Sequence, residues 1–328
     1  MENVQTLKIH QRLNAQHQQF HEWLIGFTEG DGCFSLNKQK TSWIIGFKIA
    51  VSKLDIKTLI FIKKNLRCGT INWANKERTM VQFRIRNIKH LFDYVFPVFD
   101  AYPMITNKGQ DYSIIRKAAQ LLHTNSKEKE EKIQKLASEL KKIRQNRQIL
   151  SSSLETKVKS KDPKIYCEEL GISINWIQQR YVLDSFMAKG LEGFKELSHK
   201  VSKDLSLYWS MGFFQAEGSF YVVVKNKSKK RFCCGFGISQ KTPFILEVLR
   251  KKWHIPSKVK ERIPKKSRKM YYQLDNTNTR VNEHIKKLCF KFIGIKSLQY
   301  KIWSRNLNSN DIELEKIQLL LRNLAKNK

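Results

Sequence analysis

Two stretches decide how this chain is read: Trp23-Leu-Ile-Gly-Phe-Thr-Glu-Gly-Asp-Gly-Cys-Phe34 and Trp209-Ser-Met-Gly-Phe-Phe-Gln-Ala-Glu-Gly-Ser-Phe220. Superimposed, they keep Trp, Gly, Phe, an acid, Gly and Phe in the same order, with eight residues from Trp to acid in each. One Gly-Asp-Gly is an ordinary turn; a turn repeated in register with an acid in each copy implies a shared task. Gly26 and Gly30 in one copy, and Gly212 and Ala216 in the other, set small residues four apart on one helix face. Two such helices can approach more closely than the usual ~8–10 Å. Packed about a pseudo-twofold axis, they would bring Asp31 and Glu217 side by side at their C-termini, with Gly32 and Gly218 as left-handed stops. Acids placed there are disfavoured by the helix dipole and by each other, and a divalent cation would relieve both.

The repetition extends downstream. Ile105-Thr-Asn-Lys-Gly-Gln-Asp-Tyr112 echoes Ile293-Gly-Ile-Lys-Ser-Leu-Gln-Tyr300, and the lysines, Lys108 and Lys296, lie 77 and 79 residues past their acids. Between these anchors each copy reads as strand, strand, helix, strand, strand, helix, an α+β unit. Ser42–Lys53 alternates, with Trp43, Ile45, Phe47, Ile49 and Val51 on one face. Met80–Asn87 puts Val81, Phe83 and Ile85 inward and Gln82, Arg84 and Arg86 outward. Asp55–Leu66 and Lys89–Phe99 have helical spacing, with Pro97 and Pro103 marking an end. The charged stretch Ser126–Lys164, helical near Lys129–Leu150, reads as a connector, and Tyr166–Leu197 as a packed helical insert without a functional reading. The expected organisation is an N-terminal extension (1–22), a first repeat (23–123), a connector and insert (124–203) and a second repeat (204–328).

The 328 residues include 62 Lys plus Arg against 29 Asp plus Glu, a formal charge of +33. That excess favours a polyanionic partner through counterion release, with a ribosomal or membrane-surface role as the alternative. No stretch approaches the ~18 apolar residues of a membrane span. The six cysteines form no CxxC pair, and His17 and His21, four apart, have no recognisable third metal ligand. The first 22 residues lack a secretory or transit pattern. Paired carboxylates in a cationic chain suit phosphodiester hydrolysis assisted by hard cations.

The quoted motifs resemble those of the LAGLIDADG homing endonucleases in the single-chain, two-motif, intron-encoded form. The resemblance covers about residues 20–123 and 204–306. It implies a saddle of two antiparallel sheets on double-stranded DNA, with the motif helices at the domain interface. Asp31 and Glu217 would ligate Mg²⁺ (or Mn²⁺), aided by the backbone carbonyls of Gly30 and Ala216. Lys108 and Lys296 match the family's basic residue near the scissile phosphate. Lys53 and Gln240, at the end of each second strand, match a polar position that holds or polarises the attacking water. Two departures stand out: Gln215 replaces the earlier motif acid that Glu29 retains, and the connector is long for a single-chain member.

On this reading the activity is Mg-dependent double-strand cutting at a long asymmetric site, promoting intron mobility, by a monomer made in a mitochondrion or chloroplast. Gln82, Arg84, Arg86, Tyr271 and Gln273 would reach base edges. Lys225, Lys227, Lys229, Lys230 and Arg231 in one hairpin, and Lys265, Lys266, Arg268 and Lys269 in another, would contact phosphates. The competing readings are an intron maturase binding its own intron RNA and a catalytically silent DNA-binding protein; retention of both acids favours the nuclease. With Asp31 set beside Lys53 and Glu217 beside Gln240, the two strands need not be cut at equal rates.

Overall fold

The computed structural model describes residues 4–123, 128–149, 153–226, 228, 231–263, 270–288 and 291–326. The first repeat comprises α1 (Val4–Asp31), β1 (Gly32–Gln39), β2 (Ser42–Ser52), α2 (Ile56–Leu66), β3 (Thr70–Trp73), β4 (Met80–Ile85), α3 (Ile88–His90), α4 (Phe96–Ala101), α5 (Lys108–His123) and α6 (Lys129–Ile149). The insert follows as α7 (Leu154–Lys157), α8 (Pro163–Leu170), α9 (Ile174–Gln178), α10 (Leu183–Met187) and α11 (Gly190–Asp204). The second repeat comprises α12 (Leu207–Glu217), β5 (Gly218–Asn226), β6 (Arg231–Gln240), α13 (Phe244–Lys252), β7 (Lys260–Arg262), β8 (Tyr271–Asn276), α14 (Thr279–Leu288), α15 (Gly294–Arg305) and α16 (Asp311–Lys326). Residue 23 lies well inside α1, so the stretch before it is continuous with the motif helix.

Each repeat builds a four-stranded antiparallel sheet, ordered β1-β2-β4-β3 and β5-β6-β8-β7. Period-two alternation explains both. Val81, Phe83 and Ile85 are buried while Met80, Gln82 and Arg84 are half-exposed, and β8 repeats the pattern with Tyr272, Leu274 and Asn276 inward. Register sets Phe34 opposite Phe47 and Ile49 opposite Phe83 in one sheet, and Phe220 opposite Phe236 and Ile238 opposite Leu274 in the other. Each such buried side chain contributes about 1.5–3 kcal/mol. Trp43, expected on the inward face, is only partly buried, because it sits at the hairpin tip.

Two local expectations are corrected. Gly32 and Gly218 are not left-handed stops: Gly218 is extended (φ −74°, ψ 158°), and neither is among the positive-φ glycines. What they lack matters through space, since a Cβ at Gly32 would lie 2.4 Å from Thr28 Cγ2 and one at Gly218 would lie 2.5 Å from the Phe214 ring. Pro97 opens a helix instead of ending one. A π-turn over Leu91–Val95 shifts the hydrogen-bond register, so the missing proline N–H falls in the first turn of α4.

The helix read as a connector belongs to the repeat pattern. α6 reaches the free edge of β1 through side chains: Arg144 Nη2 donates to Phe34 O (2.9 Å), and Glu130 accepts from Lys38 Nζ (2.6 Å) and Trp43 Nε1 (3.0 Å) at the hairpin tip. α16 packs directly on β5 and β6, where Gln318 Nε2 donates to Val222 O (2.8 Å) and Asp311 accepts from Phe232 N (2.7 Å). Each helix thus satisfies a backbone carbonyl on an edge strand. Residues 124–127 and 150–152 of the connector lie outside the described residues.

Candidate active site at the helix seam

The seam between α1 and α12 is nearly symmetric and glycine-dependent. A Cβ on Gly26 would lie 2.0 Å from Trp209 O, and one on Gly212 would lie 2.0 Å from Trp23 O. Each motif tryptophan stacks on the phenylalanine one turn later, Trp23 on Phe27 (5.0 Å) and Trp209 on Phe213 (5.2 Å). At the far end a Cβ on Gly30 would meet Ala216 Cβ at 2.3 Å and Glu217 Oε1 at 3.4 Å. Asp31 and Glu217, both half-buried, therefore sit together at the negative ends of abutting helices.

Lysines answer that charge. Lys108 Nζ, from the start of α5, donates to the carbonyls of Thr28 (3.1 Å), Gly30 (2.5 Å) and Gly32 (2.8 Å). Burial pulls its pKa below the ordinary lysine value, while Glu217, Asp31 and Glu29 pull the other way. Lys296 Nζ, buried at the start of α15, donates to Gly218 O. A spacing of about 78 residues in the sequence has become a cation at each helix end.

Beneath the acids lies a layer that the sequence did not explain. The buried Glu29 carboxylate accepts from Ile105 N (2.8 Å), Thr106 N (2.6 Å) and Trp209 Nε1 (3.1 Å), fixing the loop that launches α5. Burial raises its pKa against the opposing effect of those donors. Gln215 does the equivalent work for α15: its Oε1 accepts from Ile293 N (3.0 Å) and its Nε2 donates to Ile293 O (2.9 Å). The Glu-to-Gln departure is thus a change of hydrogen-bond inventory below the site.

The second-strand residues associate across the repeats. Gln240, half-buried, lines a cavity of about 390 Å³ together with Lys108 of the other repeat. Lys53, exposed, begins a turn whose Asp55 accepts from Ile295 N (2.8 Å) on the first turn of α15, beside Lys296. The sequence-level sets of Asp31 with Lys53 and Glu217 with Gln240 therefore become groupings of Lys296 with the Lys53 turn and Lys108 with Gln240. The His17 and His21 rings lie 6.3 Å apart and tilted by 55°, and the described residues hold no group of three or more His, Cys, Asp or Glu placed to hold a metal ion.

On the outward sheet faces, Gln82 and Arg84 are joined by residues that alternation alone did not single out: Lys48 lies opposite Arg84, and Thr70 and Asn72 lie opposite Arg84 and Gln82. Strand register, unavailable from sequence, puts them in one row. Arg86 is exposed just past β4; burial and Arg86 hold the Arg84 pKa below its usual value. In the second sheet Gln273 Oε1 accepts from Arg262 Nε (3.1 Å), with Tyr271 opposite Arg262. Lys225 and Arg231 are exposed on the β5–β6 hairpin. Lys227, Lys229, Lys230, Lys265, Lys266, Arg268 and Lys269 lie outside the described residues.

The sequence model of the LAGLIDADG endonuclease family matches residues 24–119. A "probable intron-encoded endonuclease Cox1-I1b" of Schizosaccharomyces pombe is 29% identical over 307 residues, covering 89% of this chain and 65% of that protein. The chain is similar to the LAGLIDADG endonucleases. Its two motifs resemble the single-chain, two-repeat form, and the same α+β fold recurs among solved LAGLIDADG structures. I-SmaMI, bound to an uncleaved DNA target in the presence of calcium ions, has a TM-score of 0.62 at 19% identity, covering 92% of this chain and 98% of that one. I-LtrWI bound to target DNA has a TM-score of 0.63 at 18% identity, covering 92% and 97%. The chain spans less than two-thirds of the length of the curated relatives it matches, 65% for the S. pombe protein and 22% for a Neurospora crassa probable intron-encoded endonuclease 31% identical over 100 residues.

Proposed function

We propose that this chain is a site-specific double-strand DNA endonuclease acting as a monomer on a long asymmetric duplex, serving the mobility of its own intron. The observation that carries the reading is the meeting of Asp31 and Glu217 at one seam, each helix end met by a lysine from its own repeat. Two carboxylates with the neighbouring Gly30 and Ala216 carbonyls make an all-oxygen set suited to a hard cation such as Mg²⁺ or Mn²⁺. A bound cation would supply Lewis-acid stabilisation of phosphoryl oxygens. The chain's own part is electrostatic and positional. Lys108 and Lys296 place positive charge where the phosphate gains negative charge, and Lys53 and Gln240 orient water on the outer side of the acids. Gln82, Arg84 and Arg86, with Tyr271 and Gln273, face the bases, and Lys225 and Arg231 the phosphates.

Relatives named as intron-encoded endonucleases, and an uncharacterised mitochondrial protein of Saccharomyces cerevisiae 24% identical over 231 residues, support an organellar, mitochondrial setting. DNA-bound structures of the fold, one with calcium, support duplex DNA and a divalent cation as partners. The test is cleavage of duplexes selected from a randomised library by the purified chain with Mg²⁺. Both strands should be cut, chelation should stop cutting, and Glu217→Gln and Asp31→Asn should each slow it by at least about a hundredfold. Undiminished cutting by either variant would overturn the site assignment.

A further inference from the structure

The two lysine centres are built on different supports. In the second repeat the support is direct: Asp55, after β2, accepts from Ile295 N (2.8 Å) and from Thr58 Oγ1 (2.9 Å). Gly294, left-handed at φ +59°, comes so close that a Cβ would lie 1.8 Å from Asp55 Oδ1. Counting back twelve residues from the left-handed Arg67 and His254 that follow α2 and α13, Thr242 corresponds to Asp55; counting from the lysines, Thr106 and Asn107 correspond to Gly294 and Ile295. The matching contact would therefore run from Thr242 to Asn107.

The insert occupies that place instead. Gly171, at φ +83°, abuts Thr242, where a Cβ would lie 2.1 Å from Oγ1. On the other side of the same turn, Asn107 Nδ2 donates to Glu168 O (3.1 Å), Thr106 bridges to Ile172, and Ser173 N donates to Ile105 O (2.7 Å). The turn between α8 and α9 is thus a spacer between the loop that launches Lys108 and the strand end that carries Gln240.

We propose that this turn is a positioning element for one of the two centres, so that residues 168–173 set the cutting rate on one DNA strand while the Asp55–Gly294 contact sets it on the other. The proposal rests on the endonuclease reading. Displacements of an ångström at a reacting centre change rates steeply, and each support touches only its own lysine loop.

The test compares Gly171→Ala and Gly294→Ala by separate end-labelling of the two strands of a duplex selected by cleavage, with Mg²⁺. Gly171→Ala should slow one strand roughly tenfold more than the other, and Gly294→Ala should bias the opposite strand. Adding Thr242→Gly to Gly171→Ala, which removes the side chain the new Cβ meets but not the left-handed backbone strain, should bring the strand ratio part of the way back to the parental value. Equal slowing of both strands by each variant would overturn the positioning role and leave the nuclease reading standing. If the parent chain cuts neither strand, the functional reading falls and takes this one with it. Should Gly171→Ala fail to fold, Asn107→Ala, which removes only the bond to Glu168 O, must show the same strand bias at smaller size; an unchanged ratio there would also overturn the proposal.

Discussion

Glu29 and Gln215 hold the same position in the two motif helices and anchor the corresponding loop of each repeat, yet they do it with different atoms. Ile293 has both backbone groups satisfied by one amide, which donates and accepts. Ile105 has its N–H held by Glu29 while its carbonyl takes a donor from Ser173 of the insert. A carboxylate has no proton to offer, so it suffices only where the insert supplies one. The consequence reaches the tryptophans. With two acceptor oxygens, Glu29 also receives Trp209 Nε1, whereas Trp23 Nε1 is buried without a partner among the described residues, on the side where the single amide oxygen is already engaged. A substitution that looks like motif decay is matched by the chain inserted elsewhere.

The largest expected effect tests where the halves should not differ. Gly26→Val and Gly212→Val each drive a side chain into a carbonyl of the opposite helix and should each cost about 3 kcal/mol or more in urea unfolding. Unequal losses would break the seam's symmetry. Next, Glu29→Gln sets an amide donor against backbone N–H groups and should cost about 2–3 kcal/mol. In a Ser173→Pro background, where the Ile105 carbonyl has lost its donor, the same change should cost measurably less, and a double-mutant cycle without coupling would refute the exchange of donors. Trp209→Phe should then destabilise by about 1.5 kcal/mol more than Trp23→Phe, because only the first removes a used N–H. Smallest of all, Lys38→Ala removes an exposed pair with Glu130 and should shift the urea midpoint less than any change above, the shift fading further in salt.

Much of this architecture was legible because it is periodic. Alternation in Met80–Ile85 foretold which side chains would be buried, and small residues four apart foretold a close helix crossing. The approach of Asp31 to Glu217 followed from the matched motif helices, whereas the seat of each lysine on its own helix end did not, since the spacing gave only that the lysines recur in register. What stayed hidden depends on contacts between distant segments. Nothing local in Gln215 announces Ile293, nothing in Gly171 announces Thr242, and the polar sequence of α6 conceals that its side chains reach the β1 edge. Gly32 and Gly218 misled because glycine has two uses, conformational freedom and absence of bulk, and only the second applies there. Pro97 misled because a π-turn can absorb a proline that an unbroken helix would reject.

The glycine seam also limits how the two halves can diverge. The space open to residue 26 is set by the backbone of residue 209, and that open to residue 212 by the backbone of residue 23. A larger side chain on one side could be accommodated only by moving the whole opposite helix, and with it the acid at that helix's tip. The outward sheet faces can change independently, one repeat at a time, while the crossing holds the two acids at a fixed separation.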